Sequence, residues 1–246
     1  MEWWKFVLLI VGGYLIGNIF WARIISKIKG YDIQSKGSGN PGTMNMLRNL
    51  GFFTGLLTLV LDMSKGIIPS IIGFYLFGGA TGNGYVGLFV AGLSVLVGNI
   101  FPVFYKFKGG KGAAVVYGTF FVANPLVGGI LFVFGFVFLL IFDYASLLSF
   151  FVISIFTIYE AYALGLMTGS GNILLSILLF SIFSLVWFAH RQNIFRLLTG
   201  KENKVNFLSK LIKKRKESKG KPKKPIIERY KQHKKRKAEL RDKEIG

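Results

Sequence analysis

The 246-residue sequence has no cysteine, which removes disulfides, thiolate nucleophiles, zinc–thiolate sites and iron–sulfur clusters. Charge is scarce as well. Only 17% of residues are Asp, Glu, Lys or Arg, against about 25% in an ordinary soluble domain. Residues 201–246 hold 19 basic and 6 acidic residues, so this stretch carries +13 of the net +20. The first 200 residues are therefore nearly charge-free over long runs, which suits lipid as solvent better than water. Histidine is limited to His190 and His233; the second lies in the basic end, so imidazole chemistry falls to His190. Nothing in the sequence calls for a metal or a cofactor.

What is abundant is apolar sequence, 52% hydrophobic and 16% aromatic. A bilayer-spanning helix takes about 20 mostly apolar residues. Seven stretches qualify: 3–25, 52–77, 85–104, 113–123, 126–142, 146–166 and 173–189. They predict an all-α polytopic integral membrane protein of about seven transmembrane helices, with the fourth too short to cross comfortably. The N-terminal run lacks a small-residue cleavage site and reads as a retained first helix. Lys and Arg collect in cytoplasmic loops. Here they follow the first helix (Arg23, Lys27, Lys29, Lys36, Arg48), the third (Lys106, Lys108, Lys111) and the seventh, whereas the Gly-rich breaks at 78–84, 124–125 and 168–171 have none. The N-terminus is thus expected outside and the C-terminus in the cytoplasm. Asp143, at the end of the fifth helix, has no basic residue nearby.

The three basic loops carry the chemistry. The first, Gly37-Ser38-Gly39-Asn40-Pro41-Gly42-Thr43-Met44-Asn45-Met46-Leu47-Arg48, is dense in residues that allow positive φ. Its N–H groups can converge on an anion that Arg48 grips. An ordinary solvated turn is the alternative. In the second, Lys108-Gly109-Gly110-Lys111-Gly112 opens a helix and offers free N–H groups beside a lysine; its spacing and flanks are not those of a P-loop. The third contains His190-Arg191-Gln192-Asn193 and continues to Glu202. A helix there places His190 and Asn193 on one face.

Together these loops, with Ser-Gly-Asn-Pro-Gly-x-x-Asn-x-x-Arg, Phe-Lys-Gly-Gly-Lys-Gly and His-Arg-x-Asn-Ile-x-Arg-Leu-Leu-x-Gly-x-Glu in order, closely resemble the bacterial acyl-phosphate-dependent glycerol-3-phosphate acyltransferases (the PlsY family). The resemblance covers about residues 1–204 as a membrane-embedded acyltransferase domain. It leaves 205–246 as a basic, disordered cytoplasmic tail. It implies transfer of a fatty acyl group from acyl phosphate to the 1-hydroxyl of sn-glycerol 3-phosphate, giving lysophosphatidate and phosphate, the first acylation of phospholipid biosynthesis. By resemblance, Ser38 and His190 serve the chemistry, with His190 or a substrate phosphate oxygen taking the proton. Arg48, Lys111, Asn193, Ser149 and Asn45 bind phosphate or glycerol 3-phosphate. Gly109, Gly110 and Gly112 cradle acyl phosphate, and Asp62, Lys65 and Glu202 are structural. The family usually has histidine where this chain has Asn99, and a basic residue where it has Asp143.

The expected surroundings are the bacterial plasma membrane, anionic lipid against the tail, and an enzyme supplying acyl phosphate, with no nucleic acid. Asp62 and Lys65, at i, i+3 in the second span, are expected to pair within the membrane. Glu160 is expected to be neutral, or partnered by Tyr159 or Tyr162. The competing reading is a transporter of an organic phosphate, which would show paired repeats and a charged path through the membrane; no such repeat is visible.

Overall fold

The structure is a computed structural model that describes residues 3–168 and 173–206; the basic tail and residues 169–171 of the last Gly-rich break lie outside them. Among the described residues all regular structure is helical. The helices are α1 (Trp3–Gly17), α2 (Trp21–Ile28), α3 (Thr43–Leu50), α4 (Phe52–Leu76), α5 (Gly84–Ile100), α6 (Ala113–Ala123), α7 (Pro125–Phe142), α8 (Ala145–Thr168), α9 (Ile173–Ala189) and α10 (Arg191–Leu198).

All seven apolar stretches are helical, but they do not make seven uniform spans. Five helical segments are long and apolar enough to cross a membrane, or six if α9 and α10, bent by 54° where they meet, count as one span. The eleven residues of α6 rise only about 16 Å, roughly half the hydrocarbon thickness. The helix is buried between its neighbours, and Asn124 caps α7 by accepting from the Val127 N–H at 3.1 Å, with Pro125 at the first helical position where its missing N–H costs nothing. The first stretch is interrupted at residues 18–20, leaving α2 as a separate short helix.

At the centre, α5 is apolar all round, as a fully enclosed helix must be; Leu88, Phe89, Ala91, Val95 and Leu96 have no exposure. Glycine lets α1 and α4 close on it. A Cβ at Gly98 would lie 2.1 Å from the Tyr14 carbonyl oxygen, and one at Gly73 would lie 2.2 Å from that of Gly87. Tight backbone crossings of this kind supply the contact that apolar collapse cannot provide inside lipid. On α6 itself, Phe120 stacks on Phe156 of α8 at 5.2 Å and meets Phe89 of α5 edge-on at 6.0 Å. Toward the other end Glu160 is buried on α8, and its Oε1 has no hydrogen-bond partner among the described residues; the Tyr159 hydroxyl accepts from Asn124 instead.

Candidate active site

The three basic loops meet at one end of the bundle. The first runs through two glycines at positive φ, Gly37 and Gly39, and then starts α3, a helix the loop composition did not suggest. Asn45, 1% exposed, organises it. Its Oδ1 accepts from Ser38 N at 3.2 Å and from Asn49 Nδ2 at 2.9 Å, and its Nδ2 donates to Ile33 O and Lys36 O at 3.0 and 3.1 Å. The amide is thus taken up within the loop, so Asn45 shapes the surface on which Ser38 and Arg48 stand.

The second loop is buttressed from below. Gly110 N donates to Asn99 O at 2.9 Å, and a Cβ at Gly109 would lie 2.2 Å from that same oxygen, so only glycine fits this approach. Lys65 Nζ donates to Asn99 Oδ1 at 3.0 Å and to Ile19 O at 2.7 Å, and pairs with Asp62 at 3.0 Å. The Asp62–Lys65 pair is therefore part of a network that fixes the glycine loop and uses the carbonyl freed by the break between α1 and α2. From the side, the Arg23 guanidinium stacks over Tyr105 at 3.9 Å and donates to Lys108 O at 2.8 Å.

The third loop turns the bundle end into a site. His190, 3% exposed, stands one residue past α9. Its Nδ1–H donates to Val186 O at 2.9 Å, which leaves Nε2 as an acceptor. Burial, with Lys111 nearby, pushes the imidazole down to about 4, so it is neutral at ordinary pH. Asn193 Oδ1 accepts from Lys111 Nζ and its Nδ2 donates to Glu202 Oε1 at 2.7 Å. The same carboxylate accepts from Ser146 Oγ at 3.1 Å and from Arg196 Nε at 2.9 Å. Burial first, then Arg196 and Arg48, lower the Lys111 ammonium to about 8, with Glu202 opposing. Arg48 is also lowered by burial, and its Nη1 donates to Asn203 O at 3.2 Å.

Residues 199–205 thus form a strap from α10 over the site. It ends on Val205, 1% exposed, whose N–H donates to Asp143 O at 2.8 Å.

One cavity of about 260 Å³ joins these groups. Of the residues named from sequence, Ser38, Asn45, Arg48, Asp62, Gly110, Lys111, Gly112, Ser149, His190, Asn193 and Glu202 line it. Gly109 and Lys65 stand behind it. Sequence reasoning left out Arg196, Ser146 and Asn203, which also line it. Arg196 was visible one helical turn from Asn193 and Ser146 one turn from Ser149, whereas nothing local pointed to the Asn203 carbonyl. The cavity continues as an apolar groove past Leu139, Gly135 and Phe132 of α7 and Leu148 and Val152 of α8. Among the described residues, no group of three or more His, Cys, Asp or Glu side chains is placed to hold a metal.

A helical bundle with spans of membrane-crossing length and a cationic pocket opening on an apolar groove at one end marks an integral membrane protein with a site at one membrane face. The family model for glycerol-3-phosphate acyltransferase matches residues 7–200, and the chain belongs to that family. Glycerol-3-phosphate acyltransferases of Aquifex aeolicus and Thermoanaerobacter sp. are each 38% identical, over 81% of this chain and 99% and 95% of theirs. The crystal structure of PlsY, an integral membrane glycerol 3-phosphate acyltransferase, in its glycerol 3-phosphate form superposes with a TM-score of 0.72 at 32% identity, over 84% of this chain and 98% of that one. Its lysophosphatidic acid form gives 0.68 at 32% identity, over 81% and 94%.

Proposed function

We propose that the protein transfers a fatty acyl group from acyl phosphate to the 1-hydroxyl of sn-glycerol 3-phosphate. The single observation that carries this is the continuity of the cavity. Arg48, Lys111 and Arg196 act at one end, and an apolar groove leads away from it. A donor with a phosphate head and a fatty chain fits both parts at once, and a small polyol phosphate fits the cationic end alone.

In the proposed reaction the glycerol hydroxyl attacks the acyl carbonyl, a tetrahedral oxyanion forms, and the bond from the carbonyl carbon to the phosphate oxygen breaks. The new ester is lysophosphatidate and the leaving group is phosphate, so no covalent enzyme intermediate is needed. Lys111, Arg48 and the N–H groups of Gly109, Gly110 and Gly112 stabilise anionic oxygens. Ser38, Ser149 and Asn193 orient the acceptor. His190 presents Nε2 to the hydroxyl, but an imidazole at about 4 is a weak base. A phosphate monoester oxygen, with a second pKa of about 6, therefore takes the proton.

In this reading Asp62, Lys65, Asn45 and Glu202 position the groups that touch substrate. The motif end faces the cytoplasm of a bacterial cell with the N-terminus outside, because the basic loops cluster there. The acyltransferase domain ends at the strap, and the net positive charge of the residues that follow attracts anionic lipid. An acyl-phosphate-forming enzyme supplies the donor. Transport is disfavoured because the packed rings of Phe120 and Phe156 stand below the cavity.

Purified protein reconstituted with acyl phosphate and glycerol 3-phosphate should release lysophosphatidate and phosphate in equal amounts. Product formed only with another acyl donor would overturn the donor assignment.

A further inference from the structure

The groove has a floor, and one side chain makes it. On α7 the apolar lining runs from Leu139 to Leu131, and on α8 from Leu148 to Ile153. Eight and five helical steps correspond to about 12 and 8 Å. Tyr117, one and a half turns into α6 from the glycine loop, stands across the lower end. Its hydroxyl donates to Gly128 O, and its ring meets Phe132 edge-on at 6.1 Å and Phe156 at 5.7 Å. Beneath it lie Phe120 and Phe156, both with no exposure. Phe132 and Phe136 on the α7 side are 46% and 51% exposed, so the groove is open sideways at this level.

Three backbone bonds of an extended chain cover about 3.6 Å, or roughly 1.2 Å per bond. A groove of about 8–12 Å therefore holds roughly seven to ten carbons. Carbons beyond that meet the Tyr117 ring and have only the lateral opening.

We infer that Tyr117 is a specificity-determining residue: it ends the protein-held part of the acyl chain and turns the remainder out past Phe132 into the bilayer. This rests on the acyl-phosphate reading above. The enzyme is then selective for the shape of the chain near its carboxyl end and indifferent to the shape of its distal end. Total length contributes little, because hydrocarbon in the groove and hydrocarbon in lipid are equally shielded from water.

A branch scan at constant length tests this without altering how the donor partitions. Acyl phosphates of one chain length carry a single methyl branch at successive positions, and turnover is compared with the straight chain. In the wild type, branches at carbons inside the groove should cost about tenfold or more, the usual penalty of overpacking. Branches well beyond roughly the tenth carbon should cost nothing. Tyr117→Ala should relieve the penalty for branches near the floor and leave the one near the carboxyl end. Tyr117→Phe keeps the ring and should reproduce the wild-type profile. If Tyr117→Ala does not fold, Phe132→Ala opens the same corner from α7 and should give the same local relief.

A penalty independent of branch position, or one at the floor that survives in whichever of these variants folds, overturns the inference while leaving the donor reading standing. Failure of the wild type to use the straight-chain acyl phosphate overturns both.

Discussion

Replacing Glu202 by glutamine removes the one carboxylate that Arg196, Asn193 and Ser146 share. The side chain is 5% exposed and its Arg196 partner 28%, so solvent screens the pair only slightly. Glutamine keeps an acceptor for Asn193 and Ser146 but turns an N–H toward the Arg196 N–H. The loss is one charge-assisted hydrogen bond, about 2 kcal/mol, and Arg196, Lys111 and Arg48 lose the negative charge that Glu202 places near them. For a chain of this size that corresponds to a fall of about 4–8 °C in the unfolding midpoint. A phosphate dianion placed among Arg48, Lys111 and Arg196 supplies the missing charge. Glycerol 3-phosphate at about 100 times its dissociation constant adds about 2.7 kcal/mol to either protein, and tighter binding to the variant should narrow the gap further at any fixed concentration. The assay is thermal unfolding in detergent with and without glycerol 3-phosphate. A midpoint equal to that of the wild type, or a gap that widens on adding ligand, would show that Glu202 does not serve as the counter-ion of these cations.

Three further outcomes are expected. Lys111 loses its proton near pH 8 in the free enzyme, so the KM for phosphate-bearing substrate should rise as pH increases through that value; Lys111→Arg, charged throughout, should flatten this limb, and an unchanged limb would place the titration elsewhere. Lys111→Ala should cost about 100-fold in kcat, the usual loss when one donor to a developing oxyanion is removed, with circular dichroism confirming a folded chain. A chain ending at Asn206 should keep its turnover, whereas one ending at Gly200, which lacks Glu202, Asn203 and the buried Val205, should lose most of it in the same reconstituted assay.

The spans and the meeting of the loops were legible because apolar runs and basic clusters are one-dimensional signals. Arg48, Lys111, His190 and Asn193 could be named since each sits in a motif whose spacing survives folding. The role of Asn45 was not legible: an asparagine in a polar loop looks the same whether its amide faces a ligand or four groups of its own chain. The break at residues 18–20 was hidden inside an apolar run, and the group that takes up its freed Ile19 carbonyl, Lys65, lies 46 residues away. α3 was missed because Gly42 precedes a stretch too short and too polar for periodicity to register. The strap was missed because its anchors, the Asn203 carbonyl and the Asp143 carbonyl, are backbone atoms that every residue has.

The interrupted first crossing has a consequence for how this protein tolerates change. α2 follows a break at residues 18–20, and Arg23 sets its face against Tyr105 and Lys108. One residue added between Gly17 and Phe20 has to be absorbed in that short break, or else it shifts α2 and carries the guanidinium off its platform. In the second case the glycine loop, some 85 residues downstream, would lose its brace although no residue in it had altered. Length in this linker is therefore constrained more tightly than its bland composition suggests.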